Sequence, residues 1–120
     1  MQITLSHDIF RLAQIFTISR GSRNQAKVLS VKIERNGFTG RGECVPYGRY
    51  DESLPSVEKE INGLPQDLDR EQLHNLLPAG AARNAIDCAL WDLEAKTSGK
   101  RVWQLAGLPE PRPEITAYTL

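Results

Sequence analysis

Three stretches of the sequence carry side chains with a capacity for binding or chemistry. Residues 19–24 place Arg20 and Arg23 among small residues, a pattern typical of a flexible loop that presents guanidinium groups to an anion. Residues 42–50 contain two tyrosines and an arginine, and residues 81–93 mix small, polar and aromatic side chains. The same compositions are also typical, in the same order, of a solvated loop, of an ordinary connection from a sheet to a helix and of a packed helix. Composition alone therefore does not assign a function.

The sequence lacks the spaced motifs of several common enzyme classes. It has no P-loop, no glycine fingerprint for dinucleotides, no HExxH and no GxSxG. The two histidines, His7 and His74, are isolated, and an isolated histidine is more often a surface or capping residue than a base or a metal ligand. The sequence therefore indicates no self-contained catalytic centre.

The length and net charge of the chain exclude further classes of protein. A chain of 120 residues corresponds to one domain, too short for a complete (β/α)8 barrel of about 250 residues. Its 15 basic and 15 acidic residues balance, which argues against a non-specific nucleic-acid binder. The sequence shows no signal peptide and no apolar run near the roughly 20 residues that span a bilayer. Cys44 and Cys88 lack disulfide or metal spacing, so we expect reduced, largely buried thiols and a cytoplasmic location.

The first half of the chain predicts a three-stranded antiparallel meander. Residues 9–18 are mostly apolar, and residues 26–35 alternate between apolar and polar side chains. Asn36 and Gly37 then predict a type I′ hairpin turn, because that turn needs two residues with positive φ. In the return strand, residues 38–44, the alternate glycines indicate close approach by another element.

The second half predicts helices. Ser53 and Asp69 are candidate N-caps for two short helices, and a longer helix follows over residues 81–96. The five alanines of the longer helix indicate a closely packed face. Residues 109–113 alternate proline with charged residues and predict a stiff linker, after which residues 114–120 are typical of a strand.

Three segments together carry a family resemblance: FTISRGSR at residues 16–23, GRGECVPY at 40–47 and PAGAARNAIDCALWDL at 78–93. They resemble the N-terminal capping domain of the enolase superfamily, in its muconate-lactonising subgroup, and are most similar to the dipeptide epimerases. The resemblance implies an α+β fold, a three-stranded antiparallel meander followed by a helical set, ending in the first strand of a (β/α)8 barrel. It divides the chain into a capping domain, residues 1–108, and a linker with that first barrel strand, residues 109–120.

The resemblance also implies site residues. In this family two loops of the cap close over a dipeptide substrate. Arg23 matches an arginine that holds a substrate carboxylate, and Arg20 is the alternative because one loop insertion or deletion would exchange the two. Tyr47 in the second loop and Thr119 at the end of the first barrel strand match substrate-contacting positions. No residue of the chain matches a catalytic base or a metal ligand.

The implied reaction is 1,1-proton transfer at the α-carbon of the dipeptide's C-terminal residue, assisted by Mg²⁺. In the family one base comes from a Lys-x-Lys motif on the second barrel strand, and the metal carboxylates come from later strands. The five lysines of this chain include no pair spaced i, i+2. We therefore expect an inactive fragment of a magnesium-dependent epimerase that needs its own barrel domain. The alternative is a stand-alone cap-like module for binding or interaction.

The expected partners follow from the same resemblance. The alanine-rich helix and residues 115–120 would normally be covered by the barrel, and exposed apolar patches tend to mark interfaces. We therefore expect a homo-oligomer, with a dipeptide as the substrate of the full-length enzyme and neither nucleic acid nor membrane as a partner.

Overall fold

The structure, a computed structural model, describes residues 1–19 and 21–117 of the chain. A three-stranded antiparallel sheet of order β1-β2-β3 precedes the helices, which confirms the predicted α+β class. Within the described ranges no helix is both long and apolar enough to cross a membrane. The elements are β1 (Gln2–Ile18), β2 (Gly21–Arg35), β3 (Phe38–Cys44), a 3-10 turn (Gly48–Tyr50), α1 (Leu54–Asn62), α2 (Arg70–Leu76), α3 (Ala81–Ser98) and α4 (Val102–Leu105).

The turn between β2 and β3 is the one that the sequence predicts. Asn36 has a φ of 51° and Gly37 a φ of 79°, and a type I′ turn requires positive φ at both central positions. Arg35 pairs with Phe38 across the turn, which sets the register of the whole β2–β3 ladder.

Helix α3 lies directly on β3, where two glycines make room for it. A Cβ on Gly40 would stand 2.7 Å from the Cβ of Leu93, and one on Gly42 would stand 2.9 Å from the backbone nitrogen of Ala89. Both added carbons would also overlap carbonyl oxygens of the helix. The small side chains of Ala85 and Ala89, each 0% exposed, allow the same approach from the helix side. The close approach predicted from the glycines is confirmed.

The hydrophobic core lies between one face of the sheet and helices α1 to α3. The alanine-rich face of α3 is buried in this core, so the prediction that it is left for a partner is wrong. Small side chains serve here to bring the helix close to the sheet, which buries them within the chain itself. In the core this face of α3 lies with three alternating residues of β2, Leu29, Val31 and Ile33. The helices α1 and α2 contribute Val57, Ile61 and Leu73.

The β1–β2 hairpin extends well beyond β3. Strand β3 pairs with residues 29–35 of β2, so residues 8–18 and 21–28 form a two-stranded arm without a third strand. The sequence predicted strands only from residues 9 and 26, with a flexible loop over residues 19–24; the structure shows that the strands are longer and that residues 21–24 belong to β2. Much of the arm is exposed, so it lacks the alternation of apolar and polar residues that reveals a strand.

The segment predicted as the first barrel strand is unpaired within the described residues, and its place in a barrel stays a prediction. Its described part, residues 114–117, has no regular secondary structure, and Ile115 is fully exposed. A strand needs a neighbouring strand for its hydrogen bonds, and none of the described strands pairs with this segment. Residues 118–120 lie outside the described residues.

The two cysteines are free thiols in different environments. Cys44, at the end of β3, is buried, and burial together with the nearby carboxylates of Glu52 and Glu43 raises the pKa of its thiol to about 11. Cys88 lies on α3 and is exposed. The prediction of two largely buried thiols is therefore wrong for Cys88, which occupies the helix face turned away from the core.

A stacked ion pair joins α2 to α3. Arg70 donates from Nε and Nη2 to the two carboxylate oxygens of Glu94, each at 2.9 Å, and its guanidinium carbon lies 3.4 Å from the ring centroid of Trp91. Asp69 caps α2 just before this pair, accepting the backbone N–H of Gln72 at 2.8 Å. The predicted N-cap of α2 is confirmed, and the pair fixes the helix against α3.

Candidate functional site

The tip of the arm carries Arg23. Phe16 pairs with Arg23 and Thr17 with Ser22, and the hydroxyls of Thr17 and Ser22 form a hydrogen bond of 2.8 Å. The Arg23 side chain is exposed, and no other described residue forms an ion pair with it. A guanidinium in this position is available to a carboxylate from outside the domain. Arg20, the sequence alternative, lies outside the described residues.

The part of the sequence that forms this arm is basic. Its one acidic residue is Asp8 at the base, and residues 9–28 contain no aspartate or glutamate. Unbalanced positive charge on one projecting element creates a local potential that attracts anions. The basic side chains within this stretch are Arg11, Arg20, Arg23 and Lys27.

The second candidate loop follows β3 and is held in a compact turn. The N–H of Tyr50 donates to the carbonyl of Tyr47 at 2.9 Å, and the N–H of Asp51 donates to the carbonyl of Gly48 at 3.2 Å. The Tyr47 and Tyr50 rings lie 5.8 Å apart at an angle of 59°, with exposed fractions of 37% and 71%. The loop therefore presents a pair of aromatic faces with phenolic hydroxyls.

Glu52, which the sequence analysis did not single out, holds this loop in place. Its carboxylate accepts the backbone N–H of Tyr47 at 3.1 Å and the backbone N–H of Ala81, the first residue of α3, at 2.7 Å. No spacing rule links positions 52 and 81. Gly80 offers no side-chain cap to the long helix that follows it, which leaves its first N–H groups open to an acceptor from elsewhere in the chain.

Both candidate loops lie at the same end of the sheet. Cys44 pairs with Leu29, so the chain beyond Cys44 leaves the sheet in the direction in which the arm projects toward Arg23. At a rise of about 3.3 Å per residue, Arg23 lies roughly 20 Å beyond Leu29 along β2. The structure thus brings Arg23 and Tyr47 to one end of the domain. Thr119 lies outside the described residues.

The family resemblance places the carboxylates of its magnesium site on later barrel strands rather than in this part of the chain. Magnesium is held by converging oxygen ligands, usually carboxylates. Among residues 1–19 and 21–117, no group of three or more His, Cys, Asp or Glu side chains comes together in a way that could hold a metal ion. We therefore assign no metal ligand in this part of the chain.

The sequence matches a known family over most of its length. Residues 1–107 match the model of the mandelate racemase / muconate lactonizing enzyme family, N-terminal domain. The chain belongs to this family. The match confirms the resemblance to the N-terminal domain of the enolase superfamily that the three sequence segments indicate.

The relatives of this domain include dipeptide epimerases. The L-Ala-D/L-Glu epimerase of Escherichia coli (strain K12) is 49% identical over 109 residues, covering 88% of this chain and 34% of that protein. A solved enolase family member from Agrobacterium tumefaciens with homology to dipeptide epimerases, with bound sodium, L-Ala-L-Glu and an ordered loop, has a TM-score of 0.82 at 47% identity, covering 89% of this chain and 34% of that one.

A second solved structure, an L-Ala-D/L-Glu epimerase, has a TM-score of 0.78 at 40% identity and covers 92% of this chain and 34% of that one. The chain thus spans about a third of the length of the proteins it matches. The predicted similarity to dipeptide epimerases is confirmed.

Proposed function

We propose that this chain is the capping domain of a dipeptide epimerase, the part that closes over the substrate beside a (β/α)8 catalytic barrel. The observation that carries the proposal is the 49% identity with the E. coli L-Ala-D/L-Glu epimerase over 109 residues. In this proposal residues 1–108 are the cap, and residues 109–120 are the linker and the start of the barrel. The reaction of the whole protein is 1,1-proton transfer at the α-carbon of the C-terminal residue of a dipeptide.

Arg23 binds a carboxylate of the dipeptide in this proposal. Its exposed guanidinium sits at the tip of a basic arm, and a planar guanidinium matches a carboxylate through two parallel hydrogen bonds. An acidic dipeptide fits this arm well because it brings an additional carboxylate. Tyr47 contributes an aromatic face and a hydroxyl from the second loop. Arg20 and Thr119 are proposed on the sequence match alone.

The catalytic groups lie on the barrel in this proposal, and the 120 residues by themselves are inactive. The support is that the five lysines of the sequence include no Lys-x-Lys pair, the motif that supplies one base in the family. In the full-length protein the metal carboxylates would come from the barrel, where Mg²⁺ would supply stabilisation of negative charge. We further propose a cytoplasmic location, from the sequence alone.

The projecting arm supports the proposal that the 120-residue chain associates with a second copy of itself. Ile9, Phe10 and Ile15 are 62%, 53% and 68% exposed, and a projecting element with several large exposed apolar side chains tends to be covered by a partner. Sedimentation at micromolar concentration is expected to show a dimer or a larger species. A homogeneous monomer under those conditions would rule the association out.

A domain exchange tests the epimerase proposal. The matching N-terminal segment of the E. coli L-Ala-D/L-Glu epimerase is replaced by residues 1–108 of this chain, and exchange of the α-proton of L-Ala-L-Glu in D2O is followed by NMR. We expect the hybrid to exchange this proton and the 120-residue chain to leave it in place. A folded hybrid without exchange contradicts the proposed function, and exchange by the 120-residue chain contradicts its inactivity.

Substitutions in the hybrid separate the two candidate arginines. Arg23→Gln is expected to raise KM for L-Ala-L-Glu about ten- to hundredfold, because a hydrogen bond to a charged group contributes about 1.5–3 kcal/mol. Arg41→Gln, an exposed arginine on β3, is the matched control and should leave KM unchanged. If Arg20→Gln raises KM and Arg23→Gln does not, the carboxylate belongs to Arg20. If neither does, the tip of the arm does not bind it.

A further inference from the structure

One side chain connects the loop after β3 to the start of α3. Oε2 of Glu52 accepts the backbone N–H of Tyr47, and Oε1 accepts the backbone N–H of Ala81, which lies 29 positions further along the chain. Charge-assisted hydrogen bonds of this kind are about twice as strong as neutral ones. The carboxylate is therefore a bridge between two elements that make no regular secondary structure with each other.

Among the residues that the structure describes, the Glu52 carboxylate is the one side chain that caps α3, at its first N–H. The N-cap residue of α3 is Gly80, which has no side chain to accept a hydrogen bond. The first N–H groups of a helix lack partners within the helix, and its N-terminus carries partial positive charge, so a carboxylate placed there is stabilising. Glu52 caps α3 from another segment of the chain, whereas Ser53 caps α1 from the N-cap position of that helix.

Gly80 is matched to Glu52 sterically. A Cβ on residue 80 would stand 3.0 Å from Oε1 of Glu52, and this is the one tight contact it would make. The φ of Gly80 is 168°, an extended conformation that any residue adopts, so the backbone does not require glycine. What favours glycine here is the space that the carboxylate occupies.

The loop closes on itself through the same side chain. Its two backbone hydrogen bonds, Tyr50 to Tyr47 and Asp51 to Gly48, curl residues 47–51 into one turn, and Glu52 then bonds back to Tyr47. The other end of the bridge is the start of α3, the helix that lies directly on the glycines of β3. The loop is thus anchored to a helix that is itself closely packed on the sheet.

We propose that Glu52 is a positioning residue: its carboxylate fixes the loop of residues 47–51 against the start of α3 and thereby sets the direction in which Tyr47 faces the substrate. The reference to substrate rests on the proposed function. The hydrogen-bonded bridge does not, since it is formed within the domain.

Amide NMR of the 120-residue chain tests the bridge. The variants are Glu52→Ala, Glu52→Gln and, as a control with the same charge change, Glu60→Gln, whose side chain is exposed on α1. In Glu52→Ala the amides of Tyr47 and Ala81 both lose their acceptor, so we expect both proton shifts to move and both hydrogens to exchange about tenfold faster. The amides of β2 should keep their shifts and exchange rates.

Glu52→Gln distinguishes a bridge from a general contribution to stability. Glutamine replaces one of the two accepting oxygens by an NH2 donor, so a side chain in the same position can accept the N–H of Ala81 or of Tyr47 but not both. We expect the shorter bond, to Ala81, to persist and the Tyr47 amide to lose its protection. Amide shifts and exchange at Tyr47 and Ala81 that match those of the unsubstituted chain would overturn the proposal.

Gly80→Ala provides an independent test should Glu52→Ala fail to fold. The added Cβ displaces Oε1 of Glu52, so the amide of Tyr47 should change as well, although it lies on the other side of the bridge. A change confined to the neighbours of Ala81 would overturn the proposal. None of these measurements uses a dipeptide, so a negative result is distinguishable from failure of the proposed function.

Discussion

Replacing Gly42 by alanine tests how α3 sits on the sheet. The added Cβ would stand 2.9 Å from the backbone nitrogen of Ala89 and 3.1 Å from the carbonyl carbon of Ala85, and would overlap the Ala85 carbonyl oxygen. These are backbone atoms in the interior of an 18-residue helix. No side-chain rotation relieves the overlap, so the helix itself must move away from β3.

The cost follows from the geometry of this contact. Overpacking typically destabilises by about 1–3 kcal/mol, and a clash with backbone on both sides belongs in the upper part of that range. Alanine also lowers the conformational entropy of the unfolded chain, which stabilises the folded state by about 0.4–1 kcal/mol. We expect a net loss of about 2 kcal/mol in the free energy of unfolding. At about 4 °C per kcal/mol for a domain of this size, Tm falls by roughly 8 °C.

Urea unfolding followed by the fluorescence of Trp91 and Trp103 measures this loss. Gly63→Ala is the matched control, because a Cβ there would make only ordinary contacts at 3.5 Å and the φ of Gly63 is −81°. The control should unfold at the same or a slightly higher urea concentration. If Gly42→Ala shows the midpoint and the slope of the unsubstituted chain, the close seating of α3 is not rigid and the reasoning is refuted.

Four further predictions concern the thiols, the α2–α3 contact and the N-cap of α2. The exposed thiol of Cys88 should react with a thiol reagent at neutral pH. Cys44 should not react, because it is buried and the pKa of its thiol is raised to about 11. Two rapidly reacting thiols in the folded chain would contradict this. Since the folded state favours the neutral Cys44 thiol, the contribution of this thiol to stability should be complete below pH 9.0 and should decline as the pH rises toward 11. Urea unfolding at a series of pH values should show that Cys44→Ala removes this decline. Arg70→Lys should cost about 1 kcal/mol and shift the emission of Trp91, because lysine keeps the charge and loses the planar, forked contact; unchanged emission and urea midpoint would argue against it. Asp69→Ala should lower the unfolding free energy by about 1 kcal/mol through loss of the α2 cap, and an equal urea midpoint would show that the cap contributes nothing.

Local features of the fold were predictable because neighbouring residues encode them. Asn36 and Gly37 specify a type I′ turn through their tolerance of positive φ, and Ser53 specifies a helix start through its side-chain oxygen. The length of the arm was not predictable, because pairing between Phe16 and Arg23 depends on hydrogen bonds across the hairpin rather than on a pattern along either strand. The sequence prediction therefore placed a loop where the structure has strands.

The candidate site was predictable only where motifs mark it. Arg23 and Tyr47 lie in segments that resemble a known family, so both were named from the sequence. Glu52 was not, because its two partners are separated by the whole of α1 and α2 and no motif records a carboxylate shared between a loop and a distant helix. Only the folded chain shows that Gly80 leaves space for it.

The sequence by itself determined the family, the order of strands and helices, and the glycine positions at which a helix must come close. These follow from side-chain volume, φ preference and periodicity, which are properties of each residue and its near neighbours. Tertiary structure alone decided which helix seats on Gly40 and Gly42, that Arg23 and Tyr47 lie at the same end of the sheet, and that Glu52 ties the second loop to α3. Those outcomes depend on contacts between residues far apart in the chain, and a single sequence carries no local signal for such contacts.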